Sequence, residues 1–203
     1  RAMKVLKDQN RAQALAESVK ESELYDKKLG MYRVNGDLSA ESHEIGRARA
    51  FSPGWLENGS IWLHMEYKYL LELLKNGLFA EYYQAIEDAL VPFQDPKIYG
   101  RSILENSSFI LSSLNEDSKN HGRGYIARLS GSTAEYINMW SLMAFGKEPF
   151  KYEDGELVYA PQPNLTSELF TKEKSVETLQ ISETETVEVE IPADSFAYRF
   201  LGR

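Results

Sequence analysis

Residues 61–91 read IWLHMEYKYLLELLKNGLFAEYYQAIEDALV. Trp62, Leu63, Met65, Tyr69, Leu70, Leu73 and Leu74 recur at the three-to-four-residue spacing of an amphipathic helix, which predicts a helix over about 61–76. Ser60 offers a hydroxyl cap at its start, and Asn76-Gly77 is a stop signal at its end. A second helix is expected over about 79–91, closed by Pro92. The break at Gly77-Leu78 is short enough to fold the pair into an antiparallel hairpin.

Upstream of this hairpin, Val5, Leu6, Leu15, Val19 and Leu24 share one face of a helix expected over 4–24. The stretch 25–49 is irregular, punctuated by Gly30, Gly36 and Gly46, and its aromatics argue for a packed loop. Downstream, 103–114 reads as a short helix and 115–124 as a polar loop. Ser130-Gly131-Ser132-Thr133 opens a further helix over about 131–145, with Ser132 and Glu135 at capping-box spacing and Gly146 as the stop. Past Pro149 the period changes. Residues 157–159, 178–181, 186–191 and 196–201 are short β-prone runs, and Val187, Val189 and Ile191 alternate with Glu188 and Glu190. Helices first and strands afterwards predict a mainly α protein, helical over 1–150, followed by a small antiparallel β segment over 151–203.

The 203 residues carry a net charge of −8, which repels nucleic acid, and no basic stripe relieves it. The stretch 101–128 is nonetheless locally mixed to basic, which suits a small anion. With no cysteine, disulfides and thiolate metal sites are excluded. His43, His64 and His121 lack metal spacing, and no glycine-rich phosphate loop is present, so neither metal nor organic cofactor is expected. No apolar run has membrane-crossing length, so no membrane partner is expected, and a cytoplasmic location is. The chain opens on Arg1 rather than Met, which suggests a fragment. Twelve Tyr, nine Phe and three Trp suit a site in which aromatic faces cover a sugar, or equally an aromatic core.

Three segments carry candidate chemistry. In Pro53-Gly54-Trp55-Leu56-Glu57-Asn58-Gly59, Glu57 and Asn58 sit in a tight loop ahead of a helix that holds His64; the same residues also suit a cap and a half-buried histidine. In Gly122-Arg123-Gly124 the glycines permit close backbone approach, and Arg is a fork for carboxylate or phosphate; a solvated loop fits as well. Ser130-Gly131 at a helix start exposes N–H groups and the positive end of a dipole to an anion, though any helix needs such a cap.

In this order and spacing the three segments resemble the C-terminal part of the catalytic barrel in glycoside hydrolase family 94, the cellobiose, chitobiose and related disaccharide phosphorylases. The likeness spans about 45–145. It implies the C-terminal part of an (α/α)6 barrel, and inverting phosphorolysis of a β-linked disaccharide with inorganic phosphate as co-substrate. It also implies an aspartate general acid upstream of the matched segments, mapped to no residue here. His64, Ser130 and Gly131 fall on the family's phosphate contacts, with Arg123 as a weaker member. Trp55, Glu57 and Asn58 would face the sugar, Glu57 being the catalytic candidate. The family's Thr is Ser130, its second Gly after Asn is Ser60, and its aromatic pair is Arg128 and Leu129, which bears on phosphorylase specificity. An inverting hydrolase using Glu57 as base, and a non-catalytic sugar-binding or interaction module, are the alternatives. A partial barrel would expose apolar helix faces, so self-association or a homodimer is expected alongside oligosaccharide and phosphate as partners.

Overall fold

The computed structural model describes residues 2–6, 8–127 and 130–198, with the side chains of Ala127 and Ser130 outside that description. The chain divides into two compact units, Arg1–Trp140 and Ser141–Arg203. The division falls inside the last long helix, ten residues before the break expected at 150.

Unit 1 begins with α1 (Ala2–Val5) and α2 (Gln9–Glu21) in place of one helix over 4–24. Asp8 caps α2 by accepting the Arg11 N–H at 2.9 Å. A short hairpin follows, β1 (Tyr25–Asp26) against β2 (Met31–Tyr32). The long segment to Ser60 holds only two 3-10 turns, His43–Ile45 and Arg47–Ala50. Then come β3 (Ile61–Trp62), α3 (Leu63–Lys75) and α4 (Phe79–Ala89). Gly77 takes a left-handed φ of 73° between the two helices, which is why a glycine ends α3 there. A 3-10 turn (Val91–Phe93) and α5 (Pro96–Tyr99) lead to β4 (Ser107–Ile110), β5 (Gly124–Ala127) and α6 (Ser130–Phe145).

Unit 2 takes the last residues of α6 and two hairpins, β6 (Phe150–Glu153) with β7 (Glu156–Tyr159), and β8 (Ser175–Gln180) with β9 (Thr186–Ile191). Its strands match the change of period after Pro149. Residues 196–198 join no strand, and 199–201 lie outside the described residues.

The expectation of a mainly α protein is overturned. Among the described residues six α-helices stand beside nine strands in four small antiparallel sheets, and no helical barrel is present. The error has a physical source in 103–114. Ser107, Ser108, Phe109 and Ile110 are all buried, so the run carries no alternation and reads like a helix segment. In the structure it is the middle strand of a three-stranded sheet, order β3-β4-β5. A strand covered on both faces loses its period.

The helical hairpin supplies the main core. Leu63, Tyr67, Leu70, Leu71, Leu73 and Leu74 of α3 are buried, as are Tyr82, Ala85, Ile86 and Ala89 of α4. Each large side chain contributes about 1.5–3 kcal/mol by leaving water. Tyr67 also bears polar weight. Its hydroxyl accepts the Val91 N–H at 3.1 Å and donates to Asn106 Oδ1 at 3.2 Å. Tyr67→Phe leaves the buried Val91 donor unpaired, and a loss of about 1–3 kcal/mol is expected in a urea melt.

Glu66 lies on the same helix with 2% of its surface exposed. One carboxyl oxygen accepts the Tyr32 N–H at 2.9 Å, tying the β1–β2 hairpin to α3, and Oε2 has no partner among the described residues. Burial pushes this carboxyl up to about 8, only partly offset by the Tyr32 bond. The folded state therefore holds the proton more tightly than the unfolded state. The stability Glu66 contributes is complete at acid pH and is lost as pH rises towards and through about 8. Glu66→Gln should flatten the decline in melting temperature between about pH 5 and 8.

Candidate functional site

Antiparallel pairing of β4 with both neighbours makes β3 and β5 run in the same direction. Their C-terminal ends emerge at the same end of the sheet. There β3 passes into α3, whose second residue is His64, and β5 leads to α6, whose second residue is Gly131. The sheet thus delivers two helix starts to one place, although 67 residues separate them in sequence (131 − 64).

The two residues meet. A Cβ on Gly131 would lie 2.5 Å from His64 Cε1 and 2.6 Å from Nδ1, so the imidazole sits directly on the glycine backbone. Glu135, four residues further along the same face of α6, places Oε1 3.7 Å from His64 Nε2. His64 is thus flanked by a helix N-terminus and a carboxylate. Ser130 opens α6, but its side chain, with Arg128 and Leu129, lies outside the described residues. The helix begins at Ser130, one residue ahead of the expected start at 131, which places Ser132, buried, within its first turn. Approach to α6 is anchored by Asn106, whose amide donates to Thr133 Oγ1 at 3.4 Å.

Next to this point lies an aromatic row that sequence reading missed. Trp62, Phe109 and Tyr125 are cross-strand partners in β3, β4 and β5. Phe109 stacks on Tyr125 (5.6 Å, 18°) and on Trp62 (5.8 Å, 29°). Trp55 meets Phe109 and Tyr125 edge-on at 4.9 and 4.6 Å. Phe109 is fully buried, while the two tryptophans and Tyr125 stay partly exposed. Trp62 Nε1 donates to Leu56 O at 3.0 Å, which seats the 55–60 loop against the row. Such pairing depends on strand register, and nothing in the separate segments announces it.

The remaining candidates sit elsewhere or are already occupied. Asn58 has no exposed surface. Its Oδ1 accepts the Leu38 N–H at 2.8 Å and its Nδ2 donates to Phe51 O at 2.8 Å, so it braces the long loop and has no free group for a ligand. The Glu57 carboxylate is taken by Arg47. Arg123 precedes β5, four residues before Ala127, and a strand of that length spans about 13 Å. Arg123 therefore lies at the far end of the strand from Gly131, packed along Gly100 and bonded to Asn120 Oδ1 at 3.3 Å. Of the sequence candidates, the structure brings together His64 and the start of α6. It adds Glu135 from the helix and supports Trp55 with three further aromatics.

Among the described residues no group of three His, Asp or Glu is placed to hold a metal ion, and no helix is long and apolar enough to cross a membrane. Against known proteins, no family model and no curated protein matches the chain. The family likeness rests on the quoted motifs.

Gly131→Ala puts a methyl where the imidazole lies. It should displace the His64 ring, seen as a shift of its NMR resonances, and cost about 1–3 kcal/mol in a thermal or urea melt.

Proposed function

We infer that unit 1 carries the anion-facing part of a carbohydrate-active site of the glycoside phosphorylase kind. Inorganic phosphate would sit at the start of α6 against His64, with a sugar on the Trp55–Trp62–Tyr125 surface. The observation that carries this reading is the contact of His64 with Gly131 at the N-terminus of a 16-residue helix. The N–H groups of a helix's first turn and its dipole favour an anion there by typically ~0.3–1 kcal/mol, and a histidine ring N–H adds a further donor. The family resemblance implies phosphate contacts at both His64 and Gly131.

The chemistry follows from the parts. A phosphate oxygen attacks the anomeric carbon as the glycosidic C–O bond breaks. The leaving oxygen takes a proton from a carboxylic acid on the opposite face, and the products are a free sugar and a sugar 1-phosphate of inverted configuration. Residues of this chain hold and orient the nucleophile, and no residue here is assigned the acid. The chain by itself is expected to release no sugar phosphate from cellobiose and phosphate.

One observation favours a second reading, hydrolysis with water as nucleophile. Glu135 puts a carboxylate 3.7 Å from His64, and a carboxylate base is what an inverting hydrolase needs. Titration of the chain with inorganic phosphate, followed through the His64 ring resonances, separates the two. Saturable shifts, abolished in Gly131→Ala and enhanced in Glu135→Gln, support the phosphate site. No response to phosphate, with cellobiose still perturbing tryptophan fluorescence, would replace it by a hydrolytic or purely sugar-binding surface.

A further inference from the structure

A cleft of about 220 Å³ opens between α2, α4 and the β1–β2 hairpin, entirely within unit 1. None of His64, Gly131, Glu135 or the aromatic row lines it. Its walls are of two kinds. Tyr25, Tyr32 and Tyr69 form the aromatic side, with Tyr32 between the other two at ring distances of 5.1 and 4.6 Å and angles of 46° and 60°. Glu17, Glu81 and Asp88 form the acidic side, with Lys20 as the single cation among the lining residues, a net −2 (1 − 3).

The cleft is braced rather than merely open. Gln13 of α2 donates to Glu81 Oε1 of α4 at 2.7 Å and to Glu17 Oε1 at 3.0 Å. Lys20 donates to Gln84 Oε1 at 2.8 Å, which ties down the one ammonium present. A carboxylate has about four acceptor positions, so one amide N–H leaves most of this capacity open. Burial, foremost, raises all three phenols above their ordinary range, Tyr32 to about 12, so the rings stay neutral. Gly30 lets the hairpin close on Asp88, because a Cβ there would overlap its carboxylate.

Three neutral tyrosine faces beside an excess of carboxylates select a cation, since ring faces and carboxylates both carry negative potential. The carboxylates do not converge with each other as metal ligands do. Rings tilted against one another at 46° and 60° offer no flat platform for a sugar. The abundance of acceptors favours a nitrogen that carries N–H donors over a fully methylated one. We propose that this cleft binds the primary ammonium group of a small alkylamine.

The test is calorimetric titration of the full chain with 1,4-diaminobutane, beside 1,4-butanediol and tetramethylammonium as neutral and N–H-free comparators. Saturable binding of the diamine is expected, weakening with added salt, with the diol silent and tetramethylammonium clearly weaker. The E81Q/D88N variant should lose at least about tenfold in affinity, and Tyr69→Phe a smaller factor. His64→Ala should leave the diamine affinity unchanged, which separates this cleft from the phosphate reading. Should E81Q/D88N fail to fold by circular dichroism, Asp88→Asn alone, at an exposed position, serves. Absence of saturable diamine binding, equal binding of the diol or of tetramethylammonium, or an affinity unmoved by the acidic substitutions in a folded variant overturns the proposal.

Discussion

The arrangement of unit 1 depends on one short buried strand. Ser107–Ile110 is paired on both edges, with β3 on one side and β5 on the other. Because both pairings are antiparallel, β3 and β5 must point the same way, and the helices that follow them must start at the same end of the sheet. His64 and Gly131 meet for this reason. The strand is held from behind by Tyr99, whose hydroxyl accepts the Ser107 N–H at 2.8 Å and donates to Glu105 O at 2.6 Å. A further tie lies just past the strand. The Asp26 carboxylate, wholly buried, accepts the Ser113 N–H and hydroxyl at 2.7 Å each and pairs with Arg33 at 3.1 Å. Burial alone would raise this carboxyl, but the Ser113 bonds and Arg33 hold it below its usual range.

Two buried carboxyls in one unit thus have opposite characters. Asp26 has three strong partners and stays ionised, while Glu66 has one partner and is pushed towards the neutral form. Both lie at the join between the β1–β2 hairpin and the rest of unit 1. That hairpin also supplies Tyr25 and Tyr32 to the acidic cleft, so the cleft's aromatic wall is positioned by the same two carboxyls.

The candidate site divides labour in a comparable way. Phe109 is the buried pivot, and the partly exposed rings of Trp55, Trp62 and Tyr125 are fixed through it. Asn58, which reads in the sequence as a ligand-facing amide, spends both ends of its side chain on backbone groups of Leu38 and Phe51. It braces the long segment between β2 and β3 internally. Strain gathers nearby as well. Ile126, a β-branched residue within β5, takes φ 55°.

The helical hairpin was legible because its determinants are local. The 3.6-residue period of Leu63 to Leu74, the Asn76-Gly77 stop and the alternation in β9 each act within a few residues. The pairing of a helix start near 131 with His64 was legible only through motif likeness, and that likeness also brought the helical barrel that the structure overturns. What the sequence by itself determined was the set of amphipathic elements and their breaks. The tertiary structure alone decided that 107–110 is a strand, that Trp62, Phe109 and Tyr125 form one row, that Glu135 attends His64, and that three tyrosines and three carboxylates enclose a cleft. Each of these rests on pairing between residues distant in the chain. Such register is set by burial on both faces at once, which erases the periodicity that a single strand would otherwise display.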